Sequence, residues 1–436
     1  MRRKWLMILL VIVLSFSTAL MGCSSTEKAK SGDEGKTTEE VKVIKIGVIY
    51  PLTGGMASAG QDQKVGVEMA AKIVNGSYDL DIPLAKTEGL PNFGGAKVEL
   101  VFADTQGDPK IGLGEAERLI EEEGVVALIG SYASSNTAAT SQAAERLGVP
   151  FFNAESTQHG LTERGFQWFF RSIPHDFGFT QNLFRFYDEL EEKKGIKVQK
   201  IGSAYENTQF GQGSNEAQKH FVKESNREMV VDIAYTANST DVTSEVIKIK
   251  EAKPDVLMMA SYVNDAILFQ QTLKQQNYMP AAIIGMEAGH VDKDYVGVLG
   301  KDATHILTSA TWSSKLIESK PIVAKVNEMY KQEYGKALAG YVPHAITGGL
   351  VLMDAINRAG STDPEAIKQA LLETDYPGDS LIMPWQGVKF DPETHQNIYG
   401  SNLLLQIDEE GEYEVVWPFD VATKELVWPA PSWGER

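Results

Sequence analysis

The residues of this 436-residue chain best placed to do chemistry are Ser134, Ser135, Asn136 and Thr137. They follow directly on the apolar run VVALIG, residues 125–130, and open an alanine-rich segment of helical composition. Backbone N–H groups at a helix start are unpaired, and hydroxyls beside them make a ready site for a carboxylate or phosphate. The same residue types are also the preferred helix caps, so this stretch alone leaves both roles open. Thr53, Asp104 and Glu155 likewise stand just beyond apolar runs. Catalytic signatures are missing: there is no HExxH, no cysteine pair and no G-x-S-x-G. Gly130-Ser131-Tyr132-Ala133-Ser134 lacks the second glycine of a nucleophile elbow, and the seven histidines never pair at metal-ligand spacing. The expectation is a binding protein with no metal and no cofactor.

These residues must be positioned by strands and helices in alternation. Val43–Tyr50, Val98–Phe102, Val125–Gly130 and Val149–Asn153 read as strands, with helices over 61–74, 111–123 and from Ser134 between them. A second series of the same kind starts near Ile173 and runs to Met286-Glu287-Ala288-Gly289. Strict alternation predicts parallel sheets covered by helices, with ligands outside the carboxyl ends of the strands. The fold class is therefore α/β: two Rossmann-like lobes, a ligand cleft between them, and a chain that crosses the hinge more than once. The boundaries expected are 42–171 with 302–380 for the first lobe and 172–301 with 381–436 for the second. Residues 78–95, rich in Pro and Gly, interrupt the pattern as a surface excursion or a flap on the rim.

The N-terminus has a different composition. Arg2, Arg3 and Lys4 precede a mostly apolar stretch that ends in Leu20-Met21-Gly22-Cys23, and Cys23 is the single cysteine. Residues 1–22 read as a bacterial lipoprotein signal, cleaved to leave Cys23 as the lipidated residue. Residues 23–41 have nothing larger than alanine to bury until Val41 and read as a flexible tether. One cysteine allows no internal disulfide. A net charge of −18 argues against a nucleic-acid partner, whose phosphates need a basic surface.

The segments IGVIYPLTGGMASAGQD, VFADTQGDP, VALIGSYASSNT, ESTQHGLTERG, FGQG and the GMEAG turn, in that order, resemble the leucine/isoleucine/valine-binding family of type I periplasmic binding proteins. The resemblance runs from about Ile44 to the late helices. It implies that Ser134 binds a ligand α-carboxylate, helped by backbone N–H groups of the same turn, Ser135 included. It implies that Thr157 contacts both ends of an amino-acid head group and that Glu155 and Ser156 contribute backbone contacts. Glu155 departs from the small residue the family has there, and only its backbone role carries over. Phe210 replaces a tyrosine ahead of Gly-x-Gly, Tyr262 resembles the second-lobe aromatic, and Glu287 resembles the acid that pairs with the ligand ammonium. Donors on one lobe and a fixed anion on the other suit a zwitterion. Ala59, where the family often has a large aromatic, and the bulky Tyr132 are the expected determinants of side-chain choice.

The function implied is that of an extracytoplasmic substrate-binding lipoprotein of an ABC importer, membrane-anchored through its lipid and monomeric. Its partners would be a branched-chain or other apolar amino acid and a transporter permease. Two alternatives stand beside it: a binding protein for an amide, a urea or an aromatic acid, and a ligand-sensing receptor domain.

Overall fold

A computed structural model of the chain describes residues 43–436. The lipoprotein signal, Cys23 and the tether expected up to residue 41 lie outside the described residues. No helix among the described residues is long and apolar enough to cross a membrane.

Two separate sheets organise the fold. The first is built from β1 (Val43–Tyr50), β2 (Lys97–Asp104), β3 (Ala127–Gly130), β4 (Phe151–Asn153) and β5 (Phe169–Arg171), in the order β2-β1-β3-β4-β5. All its pairings are parallel. The second contains β6 (Lys200–Glu206), β7 (Glu228–Tyr235), β8 (Val256–Ala260), β9 (Ala282–Met286), β10 (Leu307–Ala310), β13 (Leu403–Ile407) and β14 (Tyr413–Trp417). Its order is β14-β13-β10-β9-β8-β6-β7, parallel except where β13 pairs with β10 and with β14. A short ribbon joins β11 (Asp375–Pro377) to β12 (Gly387–Lys389). The near-continuous apolar runs of β8 and β9 and the Val- and Ile-rich β1 are what strands covered on both faces require.

The helices are α1 (Ala57–Asn75), α2 (Pro109–Glu121), α3 (Ser134–Leu147), α4 (Asp176–Lys194), α5 (Gln209–Glu224), α6 (Thr243–Ala252), α7 (Val263–Gln275), α8 (Lys293–Leu299), α9 (Leu316–Ser319), α10 (Pro321–Tyr334), α11 (Val342–Ala359) and α12 (Pro364–Leu372). Helix α11 is buried along nearly its whole length, as expected of a helix that is apolar all round. It packs so closely on α1 that a Cβ at Gly66 would lie 2.7 Å from the Val342 carbonyl oxygen. That contact fixes the height of the first turn of α11, which carries His344.

Four features differ from the sequence reading. β5 went unrecognised because Phe169-Phe170-Arg171 is only three residues long. The chain returns to the first sheet later than residue 302: β10 is a central strand of the second sheet, paired with β9 and β13. The next crossing also comes late, since Phe390 still packs on Phe152 and Phe170 of the first sheet. Within 78–95, Leu80, Ile82, Ala85 and Leu90 are buried in the core beside the first sheet. This segment is therefore a packed wall, neither a free excursion nor a rim flap.

Crossing segments meet in a hydrogen-bonded hinge. Residues 171–173 run beside 395–397: the Arg171 N–H donates to the His395 carbonyl at 3.1 Å and the Asn397 N–H to the Arg171 carbonyl at 2.8 Å. The fully buried Arg171 guanidinium donates to Gln396 Oε1 (2.6 Å), to the carbonyls of Ser156 (3.1 Å) and Gln158 (2.7 Å), and to Thr162 Oγ1 (3.1 Å). One side chain thus ties the hinge to the loop that carries Ser156 and Thr157.

Candidate ligand-binding site

The carboxyl ends of β3 and β4 face that of β9 across the cleft. Tyr132, Ser134, Glu155, Ser156 and Thr157 from the first side meet Phe210, Tyr262, Met286, Glu287 and Ala288 from the second, with Tyr341 between them. Eight of the residues expected from sequence therefore line one cavity. Two do not: Ala59 is buried in the cluster that contains Tyr132 and Tyr262, and Ser135 is half-buried outside the lining. Thr53 and Asp104 serve their own turn, the Thr53 hydroxyl donating to Asp104 Oδ2 at 2.6 Å.

On the first side the site is a set of donors held by local bonds. Helix α3 begins at Ser134, and its cap position is Ala133, which offers no side-chain cap. The capping role is thus unfilled. The Thr137 N–H bonds the Ala133 carbonyl at 2.9 Å, so the N–H groups of residues 134–136 stand outside the helical ladder. The turn before the helix is fixed by Asn153, whose amide donates to the Gly130 (2.8 Å) and Ser131 (3.1 Å) carbonyls. The Ser156 hydroxyl is used in the same way, donating to the Tyr132 carbonyl at 2.9 Å and lying 2.6 Å from Thr137 Oγ1. Thr157 Oγ1 is buried without a hydrogen bond of good geometry, and the buried carboxyl it lies near is that of Asp176, whose pKa burial raises and Thr157 helps to lower.

The other end of the site is acidic and is shared by both sides, and sequence reasoning missed half of it. Glu287 Oε1 accepts from the Thr311 N–H (3.1 Å) and hydroxyl (2.9 Å). Thr311 Oγ1 also lies 2.6 Å from His344 Nε2. His344 Nδ1 is 3.0 Å from Glu155 Oε2 and 3.1 Å from Oε1. The Thr311 hydroxyl has one proton. With Glu287 ionised, that proton goes to Glu287, His344 Nε2 donates to Thr311 and Nδ1–H donates to Glu155, so the imidazole is doubly protonated between two carboxylates; with Glu287 protonated, Thr311 donates to a neutral imidazole. In both arrangements one negative charge is uncompensated.

The energetics agree with that assignment. Burial works against a charged His344, but the charge and hydrogen bond of Glu155, with Glu287 adding to them, hold its pKa above the ordinary value. Burial raises Glu155 despite the opposing His344. Burial also lifts Glu287 to about 7; His344 lowers it and the Glu155 charge adds to the rise. The backbone is strained here as well, with φ of +52° at Glu287 and +44° at Ala288. Such angles in residues with a side chain cost about 1–3 kcal/mol each and cluster at functional sites.

An aromatic collar closes the space between these two sides. Tyr132 packs on Tyr262 at 5.4 Å and on Tyr341 at 5.2 Å between ring centroids, and Phe210 packs on Tyr262 at 5.3 Å. The Tyr132 and Tyr341 hydroxyls are 3.1 Å apart, and Tyr341 donates in turn to the Ala288 carbonyl. Burial drives all three tyrosines well above the usual phenol range, so they stay neutral. The closed cavity leaves about 20 Å³, room for about one water. Closure is also held at the rim, where Ser58 Oγ donates to Asp292 Oδ1 at 2.9 Å and Lys293 pairs with Asp62 at 3.2 Å.

Signals for the missed residues were slight. His344 sits at the start of the apolar run HAITGGLVL and reads as core, and Thr311 follows an ordinary strand. The glutamate at position 155, in place of a small residue, was the one hint that a basic partner existed.

Comparison with known proteins gives the family and the fold. Residues 43–412 match the model of a family described as periplasmic binding protein. Leu/Ile/Val-binding protein homolog 7 of Brucella abortus is 29% identical over 392 residues, covering 88% of this chain and 94% of that protein. Homolog 8 of Brucella suis is 28% identical over 393 residues, covering 88% and 92%. Among solved structures, the leucine-binding protein LivK of Thermotoga maritima superposes with a TM-score of 0.72 at 23% identity, over 87% of this chain and all of that one. The branched-chain amino acid transporter substrate-binding protein LivJ of Streptococcus pneumoniae, in complex with isoleucine, gives 0.71 at 21% identity, over 89% of this chain and all of that one. At these identities the structures speak for the fold alone.

Proposed function

The chain belongs to the periplasmic binding protein family, and we propose that it is the extracytoplasmic substrate-binding lipoprotein of an ABC importer, closing two lobes on an apolar amino acid. The relatives are binding proteins, and this chain is a binding protein rather than an enzyme. The observation that carries the ligand class is the uncompensated charge of the Glu155–His344–Thr311–Glu287 network, set opposite the start of α3 at Ser134 and the buried Thr157 hydroxyl. A zwitterion satisfies both sides at once: its carboxylate accepts from the start of α3 and from Thr157, and its ammonium neutralises Glu287. Bonds completed only when the lobes meet would draw the open form toward the closed one. Ser156 and Glu155 act indirectly, one by fixing the turn and the other by charging His344. Lipid attachment at Cys23 and delivery to a membrane permease complete the reading.

The test is a thermal-shift screen of the purified protein. Apolar or aromatic amino acids should raise its melting temperature. No shift with any amino acid, alongside a shift with an amide, a urea or an aromatic acid, would sink the proposal.

A further inference from the structure

The Thr157 hydroxyl carries a single proton, and donation to a ligand carboxylate requires that proton to point into the cavity. A second carboxyl lies behind it. Asp176 opens α4, and its N–H donates to the Thr157 carbonyl at 2.9 Å. Asp176 is 1% exposed, its side chain adjoins the Thr157 hydroxyl, and its Oδ2 has no hydrogen-bond partner. Helix α5 seals it from the other side, so closely that a Cβ at Gly213 would lie 2.5 Å from Asp176 Oδ2. Thr157 lines the cavity and Asp176 does not, so any influence of Asp176 on a ligand passes through Thr157. No ion pair reaches this carboxyl among the described residues: the Arg171 guanidinium, close enough to favour its charge, is committed to Gln396, Thr162 and the carbonyls of Ser156 and Gln158.

We propose that Asp176 is the positioning residue for Thr157: as a neutral acid it donates to Thr157 Oγ1 and frees the Thr157 proton for the ligand carboxylate. The inference rests on the amino-acid reading of the site. An ionised Asp176 can only accept; it takes the Thr157 proton and leaves Thr157 facing the ligand carboxylate with lone pairs alone. The surroundings favour the neutral acid. Burial lifts the carboxyl to about 7, against the Thr157 hydroxyl, Arg171 and the His159 N–H, and the charge of Glu216 on α5 adds to the rise. His159 lies 3.5 Å from that same Glu216. His175, the residue before Asp176, is pushed down to about 3 by burial and by Arg171, and supplies no charge. Tyr262 of the collar stays neutral. The donor end is thus governed by a group outside the cavity, and it loosens its hold on the carboxylate as Asp176 ionises.

Asp176→Asn tests this, because an amide donates and accepts at every pH as the neutral acid does. Leucine and phenylalanine are titrated calorimetrically into the full chain and the variant at pH 5.5 and 8.5. At pH 5.5 the two proteins should bind within about threefold of each other; at pH 8.5 the variant should bind at least about tenfold more tightly than wild type, the scale of one bond to a charged group. Glu287 and the ligand titrate alike in both proteins and cancel in the ratio. In a Thr157→Val background the effect of Asp176→Asn should stay within about threefold at both pH values, since the hydroxyl that transmits it is gone. If Asp176→Asn fails to fold, Thr157→Val alone decides: it should weaken binding by at least about tenfold at pH 5.5 and by less than about threefold at pH 8.5. A ratio that does not grow with pH, or one that grows equally without the Thr157 hydroxyl, overturns the role of Asp176 and leaves the amino-acid reading intact. A wild type that binds neither ligand at either pH overturns both.

Discussion

The two ends of the proposed site are built in opposite ways. The donor end comes from two neighbouring stretches, 130–137 and 153–157, on adjacent strands of one sheet. Its bonds are short-range: Asn153 to the Gly130 carbonyl, Ser156 to the Tyr132 carbonyl. The acidic end gathers residues 155, 287, 311 and 344 from both sheets and a crossing. The first lies within one lobe. The second is assembled from both, Glu287 and Thr311 of one lobe meeting Glu155 and His344 of the other. Under the proposed function this gives them separate work: the donor end serves as a preformed anchor, and the acidic end couples ligand charge to closure.

Glu287→Gln should break this division most severely. The amide keeps the size of the side chain but leaves a buried ligand ammonium unpaired, a loss of about 3–5 kcal/mol. Calorimetric titration should show affinity for every amino acid falling by at least about a hundredfold; a loss below about tenfold would mean that Glu287 does not hold the ammonium. Stability should move the other way. The pKa of Glu287 rises on folding from 4.5 to about 7, so its stability contribution is fully present below 4.5 and is lost as pH rises through about 7. The ligand-free variant should therefore melt higher than wild type at pH 8, and the gap should close toward pH 4.5. Ligand affinity of the wild type should rise across the same window, as Glu287 ionises. A melting difference independent of pH contradicts the assigned charge.

The donor end should respond more mildly. Ser134→Ala removes a hydroxyl that does not cap its helix, so the melting temperature of the ligand-free protein should change little. Affinity should fall by about 1–3 kcal/mol, the range for a bond to a charged group, and equally for all amino acids, because the carboxylate is common to them. Unchanged affinity would remove Ser134 from the site.

The same contrast explains what could be read from the sequence. Ser134 lies just beyond a strand end, a local position that periodicity exposes, while Thr157 and Glu287 became candidates through contiguous segments that resemble the family. The alternation that gave the two parallel sheets is equally local. His344 and Thr311 are invisible by that logic: each becomes functional only through a partner far away in the chain. The boundary at 302 failed for a related reason. Leu307–Ala310 is a four-residue strand whose membership of the second sheet is decided by pairing with β9 and β13, not by its own composition. Glu155 marks the limit between the two cases. Its oddity was visible, but its partner was not.

The collar belongs to neither end and should show the smallest effect, which makes it a control for both. The Tyr341 hydroxyl gives its proton to the Ala288 carbonyl, so Tyr132 is the donor in the 3.1 Å pair. Tyr132→Phe keeps the ring and removes only that donor, and Tyr341 retains its own bond. The cost should be about 0.5–1.5 kcal/mol, seen as a modest fall in melting temperature, with the order of preference among amino acids unchanged. Tyr341→Phe removes the shared link, leaving the Tyr132 hydroxyl without a partner and the Ala288 carbonyl with only the Val291 N–H at 3.3 Å, so it should cost more in the same measurement. If Tyr132→Phe proves the more damaging of the two, the proton order in the collar is reversed, and the collar rather than the acidic end carries the tie between the lobes.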